Sequence, residues 1–62
     1  MRVNVLTLGQ NVVVVRGQYS GKSGVIRRQY LIADGNGVKH VNIVAIGRLK
    51  RSYTDEWLRR IN

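Results

Sequence analysis

Short runs of β-branched and other apolar residues, separated by glycines, set the pattern of this chain. Side chains of this type suit a pleated and half-buried surface. The runs are four to nine residues long, and helical periodicity does not connect them. They predict strands over residues 11–16, 24–32, 38–46 and 48–53.

The segments between the runs predict how the strands connect. The sequence Asp34-Gly35-Asn36-Gly37 is typical of a tight hairpin turn, since Asp-Gly and Asn-Gly both tolerate positive φ. Residues 54–58 begin with Thr54 and two acids, which favours one 3₁₀ or short α turn. A short closing strand over residues 58–61 follows it.

The first eight residues allow two interpretations. Met1, Val3 and Val5 alternate with polar residues, as in a strand. The segment is therefore either an extra N-terminal edge strand or a lead-in whose Leu6 and Leu8 cover one end of the fold.

The strand patterns also predict which faces are buried. Val12 and Val14 share one face, and Val13 and Val15 share the other without a charge, so both faces are expected to be covered. In the third strand, we expect Val41, Ile43 and Ala45 to face one side and His40, Asn42 and Val44 to face solvent. In the second strand Arg28 interrupts an apolar face, which indicates either a bulge near residues 27–29 or an arginine that reaches past the end of the fold.

Length and composition define the class of protein. With 62 residues the chain is a single domain over 1–62, and it has no cysteine for disulfides or thiolate metal sites. Many short strands with glycine-rich turns and no internal repeat predict a small all-β barrel. No stretch is apolar enough to span a bilayer, and the N-terminus does not resemble a signal peptide, so we expect a cytoplasmic protein.

The charge balance predicts a polyanionic partner. Eleven Lys and Arg residues against three acids give a net charge of +8, and eight of the eleven cations are arginine. Arginine presents a planar fork that suits phosphate and stacks on bases. Nucleic acid is favoured over a membrane surface, because the sequence has no long basic amphipathic helix.

The glycine-rich stretch Gly9–Ile26 contains only part of a nucleotide-binding motif. Gly21-Lys22-Ser23 matches the end of a P-loop, but the motif needs a glycine at position 16, where the chain has Arg16. A strand follows Lys22, whereas a P-loop continues into a helix. We therefore expect no nucleotide cofactor.

The same stretch resembles the KOW motif, which occurs in ribosomal proteins and in NusG-type transcription factors. The family pattern is a glycine, a V-x-V pair, three further glycines at set spacing and an apolar residue. Here these positions are Gly9, Val12, Val14, Gly17, Gly21, Gly24 and Ile26, and a basic residue, Lys22, follows the third glycine. Gln10 stands where the family usually has an acid. A weaker similarity extends to Gly47-Arg48 and to residues 58–61. The resemblance implies an SH3-like five-stranded barrel that binds structured RNA or duplex DNA, or docks on transcription and translation proteins.

The leading hypothesis is a module that binds the phosphate backbone with little sequence specificity, and RNA is favoured over DNA. Glycines in the loop allow close approach to a phosphate, and the loop amides are expected to donate to it. Tyr19 is expected either to stack on a base or to pack over the barrel mouth, and Trp57 either to stack or, more in keeping with a lone tryptophan, to lie in the core. The predicted nucleic-acid-binding residues are Arg16, Tyr19, Lys22, Arg27, Arg28, Lys39, Arg48, Lys50, Arg51, Arg59 and Arg60.

Two other classes of function are alternatives to nucleic-acid binding. A protein-docking module on RNA polymerase, the ribosome or another factor, such as a phage or mobile-element regulator, would use an apolar patch of Val13, Val15 and Val44. Homodimerisation through residues 1–6 would hide such valines. An enzyme is disfavoured, because the only histidine, His40, has no acid beside it in the strand pattern and no metal-ligand spacing exists.

Overall fold

The computed structural model describes residues 6–61, which form five β-strands and one 3₁₀ turn and contain no α-helix. The strands are β1 (Asn11–Val14), β2 (Ser23–Asp34), β3 (Gly37–Ile46), β4 (Leu49–Thr54) and β5 (Leu58–Arg60), and the 3₁₀ turn is Asp55–Trp57. The predicted all-β class, the hairpin and the turn before the last strand are confirmed.

The strands form one antiparallel sheet in the order β4-β3-β2-β1-β5. Each strand pairs with its successor from β1 to β4, and β5 returns to pair with β1. Among the described strands, β4 and β5 are the two edges, so the pairing does not close the sheet. The sequence therefore predicts the strands correctly. The observed strand pairing does not show the closed barrel of the predicted fold.

A bulge in β2 sets the faces of the sheet. Ile26 pairs with Val44, but the next pair along the strands is Arg28 with Ile43, so Arg27 is an extra residue. Since side chains alternate along a strand, the extra residue places Ile26 and Arg28 on opposite faces. This confirms the bulge and excludes the alternative for Arg28. We call the face of Ile26 and Val44 the inner face and the face of Arg28 and Ile43 the outer face.

The core lies on the inner face. It consists of Leu6, Val12, Val14, Ile26, Val44 and Leu58, with Tyr19, Ile46 and Tyr53 packed against it. The prediction that Val44 and Asn42 face solvent is wrong, because both side chains are fully buried. The three-valine docking patch is therefore wrong as well, since Val44 lies inside while Val15 is exposed.

Two glycines of the KOW-like stretch allow close packing. A Cβ on Gly24 would meet the carbonyl oxygen of Ala45 and would lie 2.7 Å from Cγ1 of Val44. At Gly17, φ is +81° and a Cβ would lie 2.7 Å from the Trp57 ring. The spacing of these glycines thus brings β2 close to β3, and the β1–β2 loop close to the 3₁₀ turn.

Of the described residues before β1, Leu6 belongs to the core. Leu6 is buried, whereas Leu8 is exposed, so the expectation that both leucines cover the fold holds only for Leu6. Residues 6–10 form no strand. The rest of the predicted N-terminal strand, with Met1, Val3 and Val5, lies outside the described residues. Within residues 6–61, no helix is long and apolar enough to cross a membrane.

Candidate nucleic-acid interface

A shallow groove of about 420 Å³ lies beside the C-terminal end of β3. Its lining is uncharged, and three of the lining residues, Gly24, Ala45 and Gly47, are small. The lining residues are Asn11, Ser23, Gly24, Val25, Ala45, Gly47 and Ile61. None of these lining residues is acidic. The groove therefore offers a nearly flat, uncharged surface between β1 and the β3–β4 turn.

Four cations lie next to lining residues, either in the chain or across paired strands, and we call them the groove cations: Lys22, Arg48, Lys50 and Arg59. Lys22 directly precedes Ser23, and Arg48 directly follows Gly47. Lys50 pairs with the groove residue Ala45 across β3 and β4. Arg59 pairs with Val13, which pairs on its other side with Ser23. All four side chains are exposed, so their charge faces solvent around the groove.

The remaining predicted cations are distributed over other parts of the surface. Arg28 shares the outer face with Lys50, and Arg27 occupies the bulge next to it. Arg60 pairs with Val12 on the opposite side of β5 from Arg59. All three are exposed. They extend the positive field beyond the groove without lining it.

Hydrogen bonds within the β1–β2 loop use several of its amides. The N–H groups of Ser20, Gly21 and Lys22 donate to the carbonyls of Gly17, Val14 and Tyr19, at 3.2, 2.7 and 2.9 Å. The expectation that the loop amides donate to a phosphate is wrong for these three groups. A polyanion at the groove would contact this loop through the exposed side chain of Lys22.

Tyr19 packs partly against the core, and Arg51 covers it. The guanidinium carbon of Arg51 lies 5.2 Å from the centre of the Tyr19 ring, and Nη2 donates to the tyrosine hydroxyl at 3.2 Å. One of the two expectations for Tyr19 was packing, and this geometry fits it. Base stacking on the covered face would require Arg51 to move.

Trp57 lies half-buried between the β1–β2 loop and β4. Its ring contacts Gly17 and lies 6.0 Å from the Tyr53 ring, centre to centre, at a tilt of 32°. Its carbonyl accepts a hydrogen bond from the Val15 amide at 2.9 Å. Trp57 therefore fixes the end of β1 to the 3₁₀ turn.

Asp55 and Glu56, the two acids on the 3₁₀ turn, partly compensate the positive charges near them. Hydrogen bonding to its backbone and to Thr54, and the positive charges of Lys39 and Arg16, lower the pKa of Glu56. Arg16 and Lys39 thus lie within electrostatic reach of an acid on the 3₁₀ turn. The third acid, Asp34, lies at the tip of the β2–β3 hairpin. None of the three acids therefore lines the groove.

A polar network centred on the buried Asn42 links β2, β3 and the 3₁₀ turn. The Asn42 amide nitrogen donates to Oδ1 of Asp55 at 2.8 Å and to the Tyr53 carbonyl at 3.2 Å, and its oxygen accepts from Gln29 at 2.8 Å. Nδ1 of His40 lies 3.2 Å from Oδ2 of the same aspartate. The prediction that His40 has no acid beside it is therefore wrong.

Sequence reasoning missed this network because its members are distant in the chain. Only the unexpected polar residue in an apolar run, Asn42, signals it. The Gln29 side chain also donates to the Leu6 carbonyl at 2.8 Å, which fixes the chain before β1. In the described part of the chain, no buried side-chain nitrogen or oxygen lacks a hydrogen-bond partner, which is the arrangement of a structural network. Among the described residues, no three His, Cys, Asp or Glu side chains are grouped to hold a metal ion.

Comparisons with known proteins find no match for this chain among protein-family models, curated proteins or solved structures. The resemblance to the KOW family accordingly stays a prediction from the glycine and valine positions.

Proposed function

We propose that this protein is a KOW-type, SH3-like barrel that binds the phosphate backbone of structured RNA or duplex DNA with little sequence specificity, in transcription or translation. The fold proposal is supported by five antiparallel strands joined in sequence, with a 3₁₀ turn before the strand that returns to β1. The resemblance to the KOW family supports a role in transcription or translation. The net positive charge supports nucleic acid as the ligand.

The observation that carries the binding proposal is the position of the groove cations. Four exposed cations lie next to a surface of uncharged residues, while none of the three acids lines that surface. Cations that border a flat floor can contact successive phosphates without a deep pocket, since backbone binding depends on charge neutralisation. Small floor residues also permit close approach of a bulky polymer. This arrangement favours backbone contacts over readout of base edges.

Two double variants with the same net charge test the site. Lys50→Ala with Arg59→Ala removes two groove cations, and Arg16→Ala with Lys39→Ala removes the two cations near Glu56. Binding to fluorescently labelled duplex DNA and hairpin RNA is measured by anisotropy at fixed salt. We expect the groove variant to bind about tenfold more weakly, a loss of about 1.4 kcal/mol, and the control variant to remain close to wild type.

The salt dependence separates a local contact from a general charge effect. Loss of two phosphate contacts lowers the slope of log affinity against log salt by about 1.8. An equal loss of affinity in both double variants would refute the groove as the binding site, and an absence of binding by the wild type at low salt would refute the function.

A further inference from the structure

The distal half of the β2–β3 hairpin extends beyond the rest of the sheet. β1 pairs with β2 only at residues 23–25, and β4 pairs with β3 only from Val41 onward. Within the described residues, the segment 27–34 of β2 therefore has β3 as its only neighbouring strand. Its other edge has no strand partner among them.

This edge is apolar on both faces. Tyr30 and Ile32 on one face are 47% and 46% exposed, and Leu31 on the other face is 61% exposed. No charged residue interrupts residues 29–33. Edge strands are ordinarily protected by charges, prolines or bulges because an open edge is a template for another strand. Residues 29–33 contain no charge, proline or bulge, and no other described strand pairs with this edge.

The charges that flank the edge are placed symmetrically about Leu31. Arg28 lies three residues before it and Asp34 three residues after it, and both side chains belong to the outer face. In an antiparallel pair of two identical strands centred on Leu31, Arg28 of one copy lies opposite Asp34 of the other. The same register places Tyr30 opposite Ile32, an aromatic and β-branched pair of the kind that stabilises sheets.

We propose that two copies of this protein associate through the open edges of β2, antiparallel and with Leu31 on the two-fold axis. The interface is self-complementary, as a two-fold interface must be. It contains two Arg28–Asp34 pairs and two Tyr30–Ile32 pairs, and it joins the two sheets into one. This interface is independent of the proposed nucleic-acid groove.

The direction of the backbone groups agrees with this register. Asp34 pairs with Gly37 across a two-residue turn, and such closing pairs are hydrogen-bonded. Hydrogen-bonded and non-hydrogen-bonded pairs alternate along an antiparallel ladder. Gln29, Leu31 and Ala33 therefore direct their N–H and C=O groups to the open edge. The register pairs Leu31 with Leu31, and Gln29 with Ala33, so these groups bond across the axis.

Charge reversal with rescue tests the register. Sedimentation of protein freed of nucleic acid, from micromolar to millimolar concentration, gives the dissociation constant of the dimer. Arg28→Asp creates two like-charged pairs and is expected to raise this constant at least about tenfold. The double variant Arg28→Asp with Asp34→Arg restores opposite charges and is expected to restore dimerisation. Arg48→Asp, with the same charge change in the β3–β4 turn, is the control and is expected to dimerise like wild type.

Single cysteines test the position of the axis directly, because the chain has no native cysteine. Paired residues on the axis have Cα atoms about 5.5 Å apart, within disulfide range. Leu31→Cys is therefore expected to form a covalent dimer under mild oxidation. Val38→Cys is the control: Val38 is 65% exposed, but it lies on β3, one strand further from the axis.

Several results would overturn the proposal: a monomer at millimolar concentration, equal crosslinking of both cysteine variants, or a double charge variant that stays monomeric. Circular dichroism of each variant establishes that the sheet is intact. A wild-type monomer whose Leu31 amide resists hydrogen exchange would show that a different strand occupies the edge, and it would also overturn the proposal.

Discussion

The buried amide of Asn42 is expected to contribute strongly to the stability of the folded protein. Asn42→Ala removes three hydrogen bonds, those to Asp55, to the Tyr53 carbonyl and from Gln29. The position is fully buried, so water cannot replace the amide without opening the sheet. We expect this single truncation to be among the most destabilising in the chain.

The magnitude follows from the partners. A neutral hydrogen bond contributes a net of about 1 kcal/mol, and one to a carboxylate about 1.5–3 kcal/mol. The Asp55 side chain is 33% exposed and keeps its contact with His40, so water compensates part of its loss. The expected loss is therefore about 2–4 kcal/mol. A core of this size rarely supplies more than about 5 kcal/mol, so the variant loses a large share of its stability.

Urea denaturation followed by the fluorescence of Trp57 measures this loss. With a slope of about 1 kcal/mol per molar urea, the midpoint is expected to fall by about 2 M or more. Asn11→Ala is the matched control, since Asn11 is an exposed strand residue, and its expected effect is within about 0.5 kcal/mol. Equal midpoints for the Asn42 and Asn11 variants would refute the structural role of the network.

Two further predictions concern a glycine and a carboxylate. Gly24→Ala is expected to destabilise the protein by about 1–3 kcal/mol because its Cβ overpacks against β3, whereas Gly35→Ala in the open hairpin turn is expected to be nearly neutral; thermal melts compare them. The pKa of Glu56 is lowered in the folded state, so its carboxylate stabilises the protein above the pKa of the unfolded chain, and this contribution is lost as pH falls through the lowered value. The stability difference between wild type and Glu56→Gln is therefore expected to vanish at low pH, and a difference that persists below that pKa would contradict this assignment.

Most of the fold could be predicted from local patterns. Valine runs, the Asp34–Gly37 turn and the acids before Trp57 each act within a few residues, so the strands, the hairpin and the 3₁₀ turn follow from the sequence. The bulge could be recognised because Arg28 interrupts an apolar face. The sequence does not show which side chains the bulge moves to the other face of the sheet. That depends on which pair of residues precedes the bulge.

The prediction for β3 is wrong at Asn42 and Val44, which are buried, whereas Val41 is buried and His40 is exposed as predicted. A polar residue in an apolar run ordinarily marks a solvent face, but the Asn42 amide is buried because Asp55 and Gln29 satisfy it from other elements. The candidate site shows the same limit. Individual cations are visible in the sequence, whereas the register that places Lys50 and Arg59 at one groove is not.

The salt dependence of binding tests the central proposal most directly. Affinity for a labelled DNA duplex or RNA hairpin is measured by anisotropy across a range of salt concentrations. Four groove cations that each neutralise one phosphate predict a slope of about −3.6 in log affinity against log salt. A slope shallower than about −1 would mean that at most one phosphate is neutralised, and it would contradict the account.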